Sequence, residues 1–558
     1  MTETDPIADT TPATVPPTGT WTVWEAEHAW LLRKITIYLL LFGFFWRIFR
    51  YLMAMPVWGD EAMLLVNYFT RDYGDIFGPI EYCQIAPLTF HWAEITMLKL
   101  FGPSEWSVRL PPLLGSVVGL GLFCLLARLA LSPLPRMFAI GILSVAIWPA
   151  TTGSLVKPYS WDLLFSVVLL IPFAAWRRQR ERSWPLVVLC LVSPLAMASS
   201  YTAVFVAGAI GMAMAPHILR RGRPSPVAQV SNLSDSRAQV GNLSYQSGQI
   251  ALLFLYTAIV CGSFLAHYQF VGKVHLSSKT YGISTADGMG EYWQGAFPPS
   301  NPLKLLYWIP MTLAGEIAAY PAGAQRGGSI LTATLAVFGG IGFWKRGERE
   351  WVWIFAAMLV LWFVAAAMHK YPMGSCRLGQ HAGPLFCLFI GAGFAEVLRR
   401  YLPVRRAKFA VIGLGLLLGA IGLGGLGRDL VRPYRDLDAR DSRIAVRAIT
   451  ETTSDPILIA QKEGEIGIAP VHWYLGATGS RVQWVGLGDW SDAVRDKPSL
   501  WVVVCLGLTE EDEESKFLSK LFAAGGKWMC TMRYVGTVTA KGRPEEQTLR
   551  GYLFVRQP

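Results

Sequence analysis

Charge is what this chain has least of. Only 16% of its 558 residues are charged, against 53% hydrophobic. A soluble protein carries about 25% charged residues, so the composition excludes an ordinary soluble domain and reads as a polytopic membrane protein. A cleaved signal peptide is not expected either. The first thirty residues are polar and rich in Thr and Pro, without a basic region leading into an apolar core and cleavage site. The run 35–55 would serve as signal anchor. No Cys/His spacing fits a structural zinc. The net charge of +11 is no nucleic-acid footprint, because the basic residues fall in short runs between apolar segments. That pattern belongs to cytoplasmic loops facing anionic lipid.

Hydropathy gives about eleven spans. They are centred in 35–55, 108–130, 137–155, 160–176, 185–200, 202–219, 250–271, 329–344, 351–368, 383–398 and 408–427. Pro194 and Ser199-Ser200-Tyr201 interrupt 184–219. The positive-inside rule reads this stretch as a hairpin, because only then do Arg177-Arg178 and Arg220-Arg221 share a side. Lys345-Arg346, Arg399-Arg400 and Arg405-Arg406 join them. The expected fold is therefore a polytopic α-helical membrane protein with a cytoplasmic N-terminus, disordered over 1–30. A membrane domain at 31–428 would carry an outer loop at 56–107 and a flexible cytoplasmic insertion at 222–248. Within the insertion, Ala228 to Ser234 nearly recurs as Ala238 to Ser244.

The stretch 428–443 reads as a charged linker. Short apolar runs then alternate with a helix-like stretch, which predicts an extracytoplasmic soluble α/β domain over 429–558. That domain holds no GxGxxG or P-loop. Cys83 and Cys376, and Cys505 and Cys530, fall on the oxidising side, where each pair is a disulfide candidate.

The first outer loop opens with Val57-Trp58-Gly59-Asp60-Glu61. Two adjacent carboxylates at a membrane surface cost desolvation and mutual repulsion, so they suggest a general base or a cation site. The plain alternative is a pair of solvated acids capping the next helix. Two adjacent acids without further ligands make a weak site for Mg²⁺ or Mn²⁺, and no cofactor is expected.

The same loop holds Tyr82, Gln84 and His91, with Arg109 at its far end. Lys157-Pro158-Tyr159 ends the third span. His369, Lys370, Tyr371 and Arg377 lie in a later outer turn. One face thus gathers carboxylates, cations and aromatics. That set suits transfer from a phosphate-linked donor anchored in lipid. A carboxylate takes the proton of an attacking hydroxyl, and Arg and Lys hold the phosphate leaving group. At span ends, Arg109 and Lys157 have snorkelling to headgroups as their alternative. His91 and His369 have an ordinary interfacial role as theirs.

Tyr82-Cys83-Gln84-Ile85-Ala86-Pro87-Leu88 and Phe101-Gly102-Pro103-Ser104-Glu105-Trp106-Ser107-Val108-Arg109-Leu110-Pro111 follow the acidic pair. Together they resemble the first loop of the dolichyl-phosphate-mannose protein mannosyltransferase-like glycosyltransferases. This family of the GT-C superfamily is related to the lipid A aminoarabinose transferases. Lys157 to Asp162, and Tyr371-Pro372 with Arg377-Leu378, resemble later signatures. The resemblance covers roughly 35–400. It implies an inverting transferase that takes a sugar, such as the hexose mannose, from a polyprenyl-phosphate donor. The acceptor would be a lipid, glycan or protein hydroxyl on the outer face of a cytoplasmic membrane. Asp60 matches the catalytic base and Glu61 its acidic neighbour. Arg109 matches the basic residue closing the loop, and Lys157, Tyr159 and Arg377 are candidates for the donor phosphate. The chain departs from the family in lacking MIR repeats. It also carries Gln84 where relatives often have a basic residue or His.

Two other readings follow from the same residues. A transporter or flippase of a lipid-linked or anionic solute needs ionisable groups inside spans. Arg47 and Arg50 are the main ones here. An inactive scaffold predicts that Asp60 is dispensable.

Overall fold

The computed structural model describes residues 21–220, 236–280, 283–322, 329–374 and 377–435. Beyond these it describes 437–452, 457–460, 469–477, 482–485, 494, 497–506, 519, 521–523, 527–539 and 546–557. In chain order the helices begin with α1 (Trp21–Glu27), α2 (Ala29–Leu52), α3 (Gly59–Leu65), α4 (Leu88–Phe101) and α5 (Leu110–Ala130). Next come α6 (Pro133–Val145), α7 (Ile147–Thr152), α8 (Tyr159–Arg178), α9 (Trp184–Ser199), α10 (Ala203–Arg220) and α11 (Ser236–His267). Short pieces α12 (Lys273–Ser277) and α13 (Thr285–Tyr292) flank the hairpin of β1 (Lys279–Thr280) and β2 (Ile283–Ser284). Then follow α14 (Pro302–Thr312), α15 (Ile330–Lys345), α16 (Arg349–Ala367), α17 (Gly383–Tyr401), α18 (Ala407–Val431), α19 (Leu437–Thr452) and α20 (Ala469–Gly476).

Among the described residues, six helical stretches are long and apolar enough to cross a membrane. They are Ala29–Leu52, Ser107–Ala130, Tyr159–Arg178, Ser247–Ser277, Arg349–Ala367 and Val404–Val431. Pro133–Val145, Trp184–Ser199, Ala203–Leu219 and Ile330–Lys345 are apolar but shorter. Each apolar segment picked out by hydropathy falls on a helix. The segment 137–155 is the exception in form. Ala146 is extended there, and the Ile147 N–H donates to Pro321 O at 3.0 Å, so the helix breaks into α6 and α7. The stretch 184–219 is indeed two helices, parted where Ser200 is extended.

Proline starts several of these helices, at a position where the missing N–H costs nothing. Pro111 and Pro112 open α5, Pro133 opens α6, Pro185 sits in the first turn of α9, and Pro384 in that of α17. At α14, Asn301 accepts from the N–H groups of Leu303 and Lys304, and Pro302 follows it.

Leu41, Phe45, Leu191, Phe254, Phe409 and Leu416 are exposed on the outside of the bundle. A band of outward Leu and Phe is what a helix presents to lipid. Inside, one apolar core joins α2, α5, α6, α8, α9, α10, α16 and α17. The α15–α17 crossing is its tightest contact. A Cβ added at Gly339 would strike the Phe389 carbonyl, and one at Gly393 the Leu335 carbonyl. Small residues permit such backbone approach where dispersion rather than water drives packing.

The basic runs gather at one end. Arg177 pairs with Glu348 at 2.7 Å and Arg399 with Glu25 at 2.5 Å. Arg180 pairs with Glu350, and Arg346 with Glu396 at 2.5 Å. Asp60, Lys157 and Arg377 meet in another cluster. Arg47 and Arg50, the in-span cations, are fully engaged by protein. Arg47 donates to Ser116 Oγ and to the carbonyls of Gly43, Leu143 and Ser144. Arg50 pairs with Asp429 and donates to Ser154 Oγ.

The C-terminal part is α/β, as expected. Its sheet runs β4 (Val482–Val485), β3 (Ile457–Ala460), β5 (Ser499–Leu506), β7 (Glu546–Arg556), β6 (Trp528–Thr539). β3 pairs in parallel with β4 and β5, while β7 is antiparallel to β5 and β6.

Four expectations are corrected. Residues 21–27, expected to be disordered, form α1. Residues 236–248, expected within the flexible insertion, begin α11; 1–20 and 221–235 lie outside the described residues. The 428–443 stretch is no linker, because α18 runs to Val431 and α19 starts at Leu437. A Cys505–Cys530 disulfide is ruled out by register. Cys505 stands opposite Leu549 on β7 and Cys530 opposite Phe554 on its other side. Strand rise and spacing then separate the pair far beyond the roughly 7 Å that a disulfide spans. Cys376 lies outside the described residues.

Candidate active site

The outer loop folds as short helices over its own apolar core. Val57, Leu64, Leu65, Tyr68, Ile76, Phe90 and Val108 pack there with Ala469 and Trp473 of α20. Consecutive residues of an α-helix point about 100° apart, and at the start of α3 that rotation separates the acidic pair. Glu61 turns inward and is fully buried, whereas Asp60 keeps 27% of its side chain exposed.

Glu61 is tied on every side. The Arg109 guanidinium forks onto it, Nη2 to Oε2 at 2.9 Å and Nε to Oε1 at 3.4 Å. The N–H of Val156 donates to Oε1 at 2.7 Å, and that of Trp58 to Oε2 at 3.2 Å. Arg109 also donates to the carbonyls of Met55 and Pro56. Four hydrogen bonds thus hold it inside the protein, and it is buried with its partner.

Val156 precedes Lys157, so the Glu61 bond fixes the segment that presents the lysine. Lys157 Nζ lies 2.9 Å from Asp60 Oδ1 and also donates to Gln84 Oε1. Gln84 Nε2 in turn holds the Tyr82 carbonyl at 3.0 Å, where Tyr82 and Cys83 both take positive φ. Gln84 is thus the spacer that aims Lys157.

Arg377 approaches from the turn between α16 and α17, its Nη1 3.7 Å from Asp60 Oδ2. Its guanidinium carbon lies 4.7 Å from the Trp293 ring centroid and 5.9 Å from that of Trp58. Tyr292 hydrogen-bonds it, and the Tyr159 hydroxyl acts on it electrostatically. The turn is anchored by the Met373 N–H on the Ala296 carbonyl at 2.8 Å and by Trp362 Nε1 on the Pro372 carbonyl at 3.0 Å. Burial pushes the Asp60 carboxyl up, but the charges of Lys157 and Arg377 outweigh it. Its pKa lies below the ordinary carboxylate value.

The remaining sequence candidates scatter. Tyr371 lies near, its hydroxyl donating to the Leu378 carbonyl at 3.3 Å. His91 is fully buried behind the site, with Tyr68 hydroxyl at 2.8 Å and the His275 ring against it. Burial, aided by His275, drives its pKa well below the usual value and keeps it neutral. His369 stacks on Phe297 and is exposed, as is Lys370. Among the described residues, no group of three or more His, Cys, Asp and Glu side chains could hold a metal.

Sequence reasoning missed Trp58, Trp293 and Arg435. Trp58 adjoins the acidic pair and was open to notice. Arg435 was hidden in the supposed linker, yet its guanidinium carbon sits 3.6 Å from the Trp58 ring centroid.

The fold defines the class, a polytopic helical membrane protein, and it carries a partly open carboxylate ringed by cations and indoles. Residues 86–230 match the model of the family described as dolichyl-phosphate-mannose-protein mannosyltransferase. The resemblance drawn from the motifs is borne out over that stretch, which includes Arg109, Lys157 and Tyr159. No curated protein matches the chain. Among solved structures it is similar to ArnT from Cupriavidus metallidurans in the apo state. Identity is 12% and the TM-score 0.47, over 94% of this chain and 98% of that one. ArnT of the same organism bound to undecaprenyl phosphate gives the same figures. The Archaeoglobus fulgidus oligosaccharyltransferase tethered with an acceptor peptide matches at 11% identity and a TM-score of 0.46, over 91% of this chain and 69% of that one.

Proposed function

We propose that the chain is a membrane glycosyltransferase. It moves a sugar, of which the hexose mannose is the leading candidate, from a polyprenyl-phosphate carrier to an acceptor hydroxyl. The observation that carries this reading is Asp60, partly open to solvent and held between Lys157 Nζ and Arg377 Nη1. The family description of residues 86–230 supports the donor class.

In this mechanism the donor phosphate takes Lys157 and Arg377 as partners in place of Asp60. Charge-assisted bonds to phosphate are among the strongest available to these side chains. Losing its cations raises the basicity of Asp60 just as the donor arrives. The acceptor hydroxyl then gives its proton to Asp60, and its oxygen attacks the anomeric carbon. The bond from that carbon to the phosphate oxygen breaks, and the electron pair leaves with the polyprenyl phosphate. Attack opposite the leaving group inverts the anomeric configuration. Lys157 and Arg377 stabilise the charge that grows on the phosphate. Trp58 and Trp293 flank the Arg377 guanidinium and hold it toward the phosphate. Glu61 and Arg109 serve as a positioning pair, and Tyr159 and Tyr371 line the approach. The membrane is a cytoplasmic membrane, with the basic bundle end and the N-terminus inside and the α/β part outside.

Purified protein with radiolabelled polyprenyl-phosphate sugars tests the reading. Sugar should leave the carrier with the native chain and not with Asp60→Asn, which should still bind donor. Equal turnover by both proteins would remove Asp60 from the role of base.

A further inference from the structure

Arg435 lies between α18 and α19, in the stretch that leads from the membrane bundle to the α/β part. It is far from every other site residue in sequence and outside the family match. Its guanidinium nevertheless stacks 3.6 Å from the centroid of the Trp58 ring, the indole that Arg377 reaches at 5.9 Å. Asp60 feels Lys157, Arg377 and Arg435 together, so three cations face one carboxylate. Arg435 and Arg377 also act on one another as like charges.

Like charges gathered on one ring repel, and such an arrangement persists only if the surroundings hold it or an anion completes it. Here the surroundings do hold it. Tyr434 is stacked by Arg440, and Arg443 of α19 donates to the Ala54 carbonyl at 2.7 Å. These contacts fix α19 against the loop that carries Trp58. Among the described residues no carboxylate forms an ion pair with Arg435, and its side chain stays open to solvent. The guanidinium therefore has donors to spare, facing the same indole as the proposed phosphate ligand.

We infer that Arg435 is a phosphate-binding residue, contributed to the site by the C-terminal segment, and that the donor phosphate held by Lys157 and Arg377 takes Arg435 as a third partner beside Trp58. The inference rests on the glycosyltransferase reading. The geometry suits the chemistry. A phosphodiester carries one negative charge, and the phosphomonoester that leaves carries about −1.5 to −2 at neutral pH. A second guanidinium becomes more useful as that charge grows. The planar fork of Arg also binds phosphate oxygens in pairs, which an ammonium does not.

The test titrates the purified full-length chain with undecaprenyl phosphate and, separately, with uncharged undecaprenol. The native chain should prefer the phosphate. Arg435→Gln should weaken phosphate binding by roughly 10- to 100-fold, the range for one charge-assisted hydrogen bond. It should leave undecaprenol binding unchanged, and Arg435→Lys should recover part of the loss. A residue that merely secured α19 would lower both affinities alike, and that result would overturn the inference. So would an Arg435→Gln chain that binds phosphate as the native chain does while Arg377→Gln does not; the transferase reading would then stand. A native chain that does not distinguish phosphate from alcohol would sink both.

Discussion

The guanidinium of Arg109 and the carboxylate of Glu61 meet at 2.9 Å with neither reached by solvent. The same carboxylate takes the N–H groups of Trp58 and Val156, one beside Asp60 and the other beside Lys157. One buried pair therefore sets the distance between the proposed base and its cation. Removing one partner of a buried pair leaves a desolvated charge and costs about 3–5 kcal/mol. Glu61→Gln should lower thermal stability in detergent by that order and loosen the site as well. A Glu61→Gln chain with native stability would show that the clamp is not needed.

Lys157 sets the charge state of Asp60. The folded-state pKa of Asp60 is depressed, so its carboxylate form persists down through the ordinary carboxylate range and is lost only as pH falls below that range. Removing Lys157 removes the largest of the three cationic influences on it. In Lys157→Met the acid limb of the pH–rate profile should therefore move to higher pH. A limb that stays in place or moves down would mean that another group titrates.

The α/β part is not a passenger. Trp473 stacks on Phe69 with ring centroids 5.2 Å apart, and the Val57 N–H donates to the Tyr474 hydroxyl at 2.8 Å. Trp473→Ala should cost about 3–5 kcal/mol at this contact. Limited proteolysis should then cut α19 and α20 sooner, and transfer should fall in step. Native protection with native activity would show the contact to be idle.

Within the bundle, Gly339 and Gly393 let α15 and α17 touch backbone to backbone. Gly339→Leu should push the helices apart and lower the unfolding temperature sharply, whereas Leu331→Ala, on an exposed face, should not. Equal effects of the two changes would argue against the close crossing.

Much of this was legible in the sequence, for physical reasons. Long apolar runs, basic runs between them and short alternating strands carry strong periodic signals, so helices and sheet were readable. Asp60, Lys157 and Arg377 stood out because polar groups at span ends are expensive unless used. The partner of a side chain was not readable. Arg109 looks like a phosphate ligand from sequence, yet Glu61 faces it. That facing depends on the turn between two adjacent acids in α3. His369 and Lys370 shared a turn with Arg377 but point elsewhere. Arg435 was lost because a charged stretch after an apolar run resembles a tether. Only the docking of α19 against the loop shows otherwise.

Val57 and Tyr474, which hydrogen-bond across the loop, stand 417 residues apart. During synthesis the loop bearing Asp60 emerges first, and its apolar core lacks Ala469 and Trp473 until nearly the whole bundle has been inserted. The loop's packing is therefore completed late, only once the distal segment has been made and docked. A nascent or prematurely terminated chain holds the Asp60 carboxylate on an unfinished support, and the support is complete only when the translated molecule closes upon itself.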